Sequence, residues 1–214
     1  MMMDRPSIEE NQIEIHNENA LSKERAFDFS YLQQTFIPNW IGKNKTSQKA
    51  FLAWNCNMGD GLMTFALSSL IANNLLPYKI LATEKSYSNV ESARNGVYKK
   101  TQVDIAGVDV KNHILLGHGD VQGWVKFKDE VLNKINFQQH DMTDLSYLSG
   151  DLFDVILAED FEQYTDNNIA TEIALDKIHR SLKKDGILMI QSAARIPQFA
   201  EYFTVAAPGI YKKI

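Results

Sequence analysis

The 214-residue chain has one cysteine, so no intramolecular disulfide is possible, and no Cys/His cluster carries zinc spacing. It lacks a dense basic run. With a net charge of −5 it has little to neutralise a phosphate backbone, which argues against a nucleic-acid partner. No apolar stretch approaches the roughly 20 residues that span a bilayer. The polar, acidic stretch from Met1 to Glu24 contains no signal-peptide core, so a soluble cytoplasmic protein without membrane insertion is expected. A complete G-x-G-x-x-G fingerprint is missing, and no phosphate-binding lysine follows the glycines that are present, which disfavours dinucleotide and P-loop sites. What remains is near the globular average, with 44% hydrophobic and 23% charged residues.

The most informative stretch is Ala53-Trp-Asn-Cys-Asn-Met-Gly-Asp-Gly61, followed by Ile80-Leu-Ala-Thr-Glu84. An apolar run stops at a glycine-containing turn, a helical pattern follows, and a second apolar run ends on a carboxylate. That layout suits a strand, a cofactor-cradling loop, a helix, and a strand whose terminal acid binds ribose hydroxyls. From Ala50 onward strand-like and helix-like segments alternate. Leu62 to Leu75 reads as a helix with one apolar face, Lys79 to Thr83 as a strand and Ser88 to Tyr98 as a helix ending near Gly96. Ile135 to Gln139, Phe153 to Ala158 and Ile187 to Ile190 read as strands. Asp166 to Leu182 reads as a helix facing inward through Ile169, Ile173, Ile178 and Leu182, and Lys184 to Gly186 as a turn.

The pattern predicts an α/β fold with a doubly wound, mainly parallel, Rossmann-like sheet. Residues 1–45 read as a tail or helix plus a lid segment, whose aromatics between Phe27 and Ile41 pack across the mouth of the main domain, residues 46–214. The region of about 99–134 reads as a β-rich insertion, and Phe203 to Tyr211 as an antiparallel hairpin on the sheet edge.

Several residues carry chemistry. Asn57, Gly59 and Asp60 belong to the loop, where glycine permits close backbone approach. Asp60 either meets a cationic amine or caps the following helix. Glu84 suits a bidentate contact with ribose hydroxyls. Asp141 ends another strand and could accept from an adenine amino group, with Met142 packed on the ring. His140 beside it reads as structural. Glu159 and Asp160 end the strand from Phe153, with Tyr164 following. In open parallel sheets these strand ends converge on one crevice, and an acid-lined crevice suits cationic S-adenosylmethionine.

These segments resemble the CheR-type chemotaxis-receptor glutamate methyltransferases over about residues 50–213. That family's W-S-A-x-C-S-T-G-E-E-P-Y-S loop is similar to Trp54-Asn-Cys-Asn-Met-Gly-Asp-Gly-Leu-Met-Thr64, one residue shorter. Its A-T-D-I-D…L…A-R-x-G-x-Y is similar to Ala82-Thr-Glu-Lys-Ser…Val90…Ala93-Arg-Asn-Gly-Val-Tyr98. Its V-x-F…N-L and F-D-x-I-x-C-R-N-V-x-I-Y-F resemble Ile135-Asn-Phe…Asp141-Met142 and Phe153-Asp-Val-Ile-Leu-Ala-Glu-Asp-Phe-Glu-Gln-Tyr-Thr165.

The resemblance implies a class I methyltransferase using S-adenosyl-L-methionine. Asp60 would lie at its methionine moiety, Glu84 at the ribose, Asp141 and Met142 at the adenine, and the catalytic candidate Tyr164 near the methyl. It implies that the insertion docks a chemoreceptor or other protein substrate carrying the carboxylate acceptor. The chain departs from the family where Gln34 stands for an upstream arginine, where Glu159 and Asp160 replace R-N, and where Gln191 to Ala194 replace G-H-S-E. The family's N-terminal helical domain is expected to be missing or reduced to about one helix. These departures open an alternative, a binding module of the same fold without the transfer chemistry.

Overall fold

A computed structural model describes residues 28–44, 49–74, 76–105, 107–144, 150–190, 196 and 198–214. Tail residues 1–24 and the Gln191–Ala194 departure lie outside them. Among the described residues ten strands form two sheets. The large sheet contains β1 (Phe51–Cys56), β2 (Tyr78–Glu84), β6 (Ile135–Gln139), β7 (Phe153–Ala158), β8 (Leu182–Ile190), β9 (Phe203–Ala207) and β10 (Ile210–Lys213), in the order β6-β2-β1-β7-β8-β10-β9. The five strands from β6 to β8 are parallel, and β10 runs antiparallel between β8 and β9. The expected parallel sheet and C-terminal hairpin are therefore present.

Central strands β1 and β7 are apolar nearly throughout because both faces of a parallel sheet are covered. Alternate residues enter two cores: Ala53, Val155 and Leu157 pack on one face, and Trp54, Ile156 and Ala158 on the other. The first core receives α2 (Leu62–Asn73), and the second receives α6 (Asn168–Ser181), with the short α4 (Lys100–Ile105) and α5 (Asp129–Leu132) between them in the chain.

Two helices depart from the expected patterning. Every residue of α2 from Leu62 to Ile71 is buried, so it has no solvent face. A second layer covers it: Phe65 stacks on Phe127 with ring centroids 4.3 Å apart. On α6 the inward face is Thr171, Ala174, Leu175 and Ile178, while Ile169 at the first turn is 71% exposed. Asn167 caps that turn through the amides of Ile169 and Ala170, which fixes the helix start and turns Ile169 outward. The Lys184–Gly186 turn is a bulge inside β8, where pairing jumps from Phe153↔Leu182 to Val155↔Ile187.

The insertion folds as a second sheet of β3 (Val97–Lys99), β4 (Ile114–Leu116) and β5 (Trp124–Phe127), antiparallel and ordered β3-β5-β4. Its inner side buries Tyr98, Val125 and Phe127 against α2. Its outer side exposes Val97, Leu115 and Trp124, while Leu116, opposite Val125 on the inner side, is exposed on the edge strand β4. Helix α3 (Tyr87–Asn95) ends at Gly96, as expected, because Gly96 takes the left-handed conformation (φ 60°) and hands the chain to β3.

The aromatic segment before β1 lies elsewhere than expected. A π-helical turn (Leu32–Phe36) runs into α1 (Ile37–Asn44), whose Trp40 and neighbouring Phe36 sit edge-on to Phe51, the first residue of β1. Trp40 Nε1 donates to Asp154 Oδ1 (2.9 Å) at the start of β7. These aromatics cover the N-terminal ends of the strands, not the mouth at the C-terminal ends. The indole N–H decides this, since a half-buried donor needs a partner and Asp154 supplies it there.

Candidate active site

The loop after β1 is held from three sides. Met58 N–H bonds Thr83 O (3.0 Å), Gly61 N–H bonds Met58 O (2.8 Å), and Tyr98 Oη donates to Asp60 O (2.7 Å). The Ala93–Tyr98 phrase thus has a physical role. Ala93 is the small residue against which Gly61 closes, Arg94 donates to Phe137 O (2.8 Å), Gly96 turns the chain, and Tyr98 grips the loop carbonyl. Asp60 is exposed, and its Oδ1 accepts from Leu62 N (2.9 Å), an Asx turn one residue before the N-cap, which is Gly61. Asp60 is therefore not the expected N-cap of α2, and its Oδ2 is left for a ligand.

Glu84 ends β2 next to this loop. Its Oε2 accepts from Gly59 N (3.1 Å) and its Oε1 from Ser86 N (3.0 Å). Each oxygen keeps a second lone pair. Two backbone donors therefore fix the carboxylate in place and leave it able to accept from a pair of hydroxyls.

Glu159 sits between β1 and β7. Asn55, a fully buried polar residue within an apolar strand, donates its Nδ2 hydrogens to Thr64 Oγ1 (2.7 Å) and Glu159 Oε1 (2.6 Å). Removal from water pushes the Glu159 carboxyl well above the usual carboxylate range. Asn55 opposes this, and the neighbouring carboxylates Asp60, Asp160 and Glu84 add to it. Asp160 is exposed in a left-handed conformation, with Oδ2 near Gly59. Tyr164 is buried, and its hydroxyl donates to Asn57 Oδ1 (3.0 Å) and accepts from the Met142 amide. It ties together the loops after β1, β6 and β7 from beneath. Asn55 Oδ1 and Asn57 Nδ2 are buried with no hydrogen-bond partner among the described residues.

On the β6 side, Asp141 Oδ1 accepts from Thr143 N (2.9 Å) and Oγ1 (2.8 Å), and Oδ2 pairs with Lys85 (2.9 Å). Burial would raise its pKa, but these hydrogen bonds and the Lys85 charge outweigh it and hold the group at about 2. Met142 is wholly buried, in the core with Trp54 and Cys56, so its side chain has no surface to offer a ring. It supports the site from below instead. Gln34 is exposed on the π-helical turn and makes no hydrogen bond to the crevice residues, since that segment covers the other end of the sheet.

The sequence reading missed Asn55 and Lys177. A lone Asn in an apolar strand was the available signal for the first. Lys177, on the inward face of α6, is buried, and its ammonium donates to Asp144 O and to His140 Nε2 (3.2 Å). It thereby ties the Asp141–Asp144 turn to the helix. His140 N–H in turn bonds Glu84 O (2.9 Å). Burial first, and then the Lys177 charge, push the His140 imidazole down to about 4.

This has a testable consequence. The unfolded chain takes up the proton near pH 6.5 while the folded chain does not, so the contribution is complete above that pH. It is lost as pH falls toward 4, on the order of 2–3 kcal/mol. Urea midpoints measured from pH 7 to 4.5 should fall more steeply for the native chain than for His140→Gln. Parallel curves would refute this assignment.

The crevice residues fit S-adenosylmethionine. Carboxylates dominate, Lys85 is already paired with Asp141, and Glu84 offers acceptors for a diol. Residues 23–210 match the model of the family described as CheR methyltransferase, SAM binding domain. A chemotaxis protein methyltransferase of Escherichia coli K12 is 22% identical over 166 residues, 75% of this chain and 58% of that protein. One from Borreliella burgdorferi is 26% identical over 200 residues, 86% of this chain and 66% of that protein. The chain thus spans about three fifths of the length of these relatives. A TehB-like SAM-dependent methyltransferase structure from Corynebacterium glutamicum aligns with 14% identity and TM-score 0.48, covering 96% of this chain and 97% of that one. The chain belongs to the CheR methyltransferase family, within that family's S-adenosylmethionine-binding domain.

Proposed function

We propose that this chain transfers a methyl group from S-adenosylmethionine to a side chain of a chemotaxis protein in the cytoplasm. The observation that carries the reading is Glu84, fixed by Gly59 N–H and Ser86 N–H at the junction of β1 and β2 beside an acid-lined crevice. When bound, the cofactor supplies an electrophilic methyl on a cationic sulfur. The chain's contribution is to bind, align and exclude water. Asp60, Glu159 and Asp160 favour positive charge near the methionine end, Asp141 accepts at the adenine end, and Tyr164 keeps the three loops in register. The relatives' name supplies the acceptor class. The exposed apolar outer side of β3, β4 and β5 is the surface on which the partner docks, a chemoreceptor cytoplasmic segment being the first to try. Among the described residues no helix is long and apolar enough to cross a membrane.

Glu159 favours a second reading. Its carboxyl faces three others, so an anionic acceptor meets repulsion there. Either the acceptor is less anionic than a glutamate carboxylate, or the chain binds cofactor and partner without transfer. Calorimetry of the full chain with S-adenosylmethionine comes first, with saturable micromolar binding expected, and absence of binding removes both readings. Transfer of labelled methyl to a receptor cytoplasmic fragment separates them. Trp124→Ala with Leu115→Ala should lower transfer at least about tenfold without changing cofactor affinity.

A further inference from the structure

At the opposite end of the sheet from the crevice lies a cavity of about 920 Å³, bounded by α1, the starts of β1 and β7, the β8 bulge and β10. Its volume is in the range of sites for whole small molecules and is larger than a single phosphate needs. Partly exposed rings of Tyr31, Phe36 and Trp40 contribute to its wall.

The charge of this cavity runs against that of the chain. Five lysines line it against two carboxylates, in a protein of net charge −5. Both carboxylates are already engaged. Asp154 accepts from Trp40 Nε1 (2.9 Å), Lys183 Nζ (2.8 Å) and Leu52 N (2.9 Å), and Asp185 pairs with Lys43 (3.0 Å). Lys49, Lys184 and Lys212 have no carboxylate partner among the described residues, and all three are exposed. They come from three separate parts of the sequence: the lead-in to β1, the β8 bulge and β10. The fold therefore gathers three uncompensated ammonium groups around one aromatic-walled hollow. Like charges brought together this way repel, and a compact polyanion relieves the repulsion. Lysine serves phosphate as a mobile point charge, without the fixed fork of arginine. The rings beside it match a planar base.

We propose that this cavity is a second ligand site, taking a nucleoside polyphosphate with its phosphates among Lys49, Lys184 and Lys212 and its base against the aromatic wall. The site is separate from the cofactor crevice, so the proposal does not depend on the methyltransferase reading.

The test is calorimetry of ATP into the full chain held saturated with S-adenosylhomocysteine, so that the crevice is not available to adenine. Inorganic tripolyphosphate serves as the second probe. Saturable ATP binding is expected, at least about tenfold tighter than tripolyphosphate, and weakened at least about tenfold by Lys184→Glu with Lys212→Glu. Both lysines are exposed, so the double variant should keep its melting temperature and its S-adenosylhomocysteine affinity. No ATP saturation up to millimolar concentration overturns the proposal. So does ATP binding that the double variant leaves unchanged. Equal affinity for ATP and tripolyphosphate overturns the base contact and leaves a phosphate site. If the chain fails to bind S-adenosylhomocysteine at all, the crevice reading has failed. The same titration then judges the cavity independently, through the lysine variants alone.

Discussion

Replacing Glu84 with alanine should weaken S-adenosylmethionine binding about a hundredfold while leaving the chain folded. The carboxylate offers one free lone pair per oxygen to a ribose diol, and each charge-assisted hydrogen bond there contributes roughly 1.5–3 kcal/mol. Losing both comes to about 3 kcal/mol, or two decades in affinity. The substitution also releases Gly59 N–H and Ser86 N–H, the two tethers that keep the loop after β1 against the end of β2. Glu84→Gln separates these contributions. It keeps the shape and one acceptor oxygen and loses the charge, so its affinity should fall between the other two. Calorimetry on all three proteins, with melting curves as a folding control, decides the matter. An alanine variant within about twofold of the native affinity would sink the ribose assignment.

The largest structural effect should come from Gly61→Ala. Gly61 has φ 84°, a region costly for any residue with a Cβ. The added methyl would lie 2.7 Å from Ala93 Cβ and 3.3 Å from Tyr98 Oη. The loop must therefore lift from α3, breaking the Tyr98–Asp60 bond of 2.7 Å. Backbone strain of 1–2 kcal/mol and overpacking of 1–3 kcal/mol together suggest a loss of about 3 kcal/mol. For a chain of this size that is roughly 6–12 °C in melting temperature. Pairing it with Ala93→Gly restores the space but not the dihedral angle, so the double variant should recover only about half. A single variant melting within about 2 °C of the native protein would contradict the close approach.

Much of the architecture was readable because a parallel strand is apolar on both faces and each crossover needs a helix between. The apolar run Phe51–Trp54 and the stretches Lys79–Thr83 and Phe153–Ala158 stood out for that reason, and the acids beyond the last two follow from the topology. The phrase from Ala93 to Tyr98 was legible as a resemblance, but its purpose was not. Only the packed structure brings Ala93 against Gly61 and Tyr98 Oη to Asp60 O.

The failures share a cause: sequence pattern gives the polarity of a position, not the number of layers over it. Helix α2 looks one-faced until the small sheet closes over its back. Met142 looks available to a ligand until it is found in the core. Lys177 looks like a solvated helix residue until the Asp141–Asp144 turn folds onto its ammonium. The aromatics of residues 28–44 could have covered either end of the sheet, and one indole hydrogen bond to Asp154 selects the end.

The three tryptophans lie in three separate places. Trp54 is fully buried under the end of β2, donating to Thr83 Oγ1 (3.0 Å), while Trp40 borders the lysine-rich cavity and Trp124 is 43% exposed on the insertion. Each place has its own polarity, so their emission should differ in wavelength and in access to a collisional quencher. Variants that keep one indole and change the other two to phenylalanine would give separate optical channels for cofactor, polyanion and docked protein. The chain thus carries intrinsic probes that can tell, without any added dye, which of its surfaces a given ligand has reached.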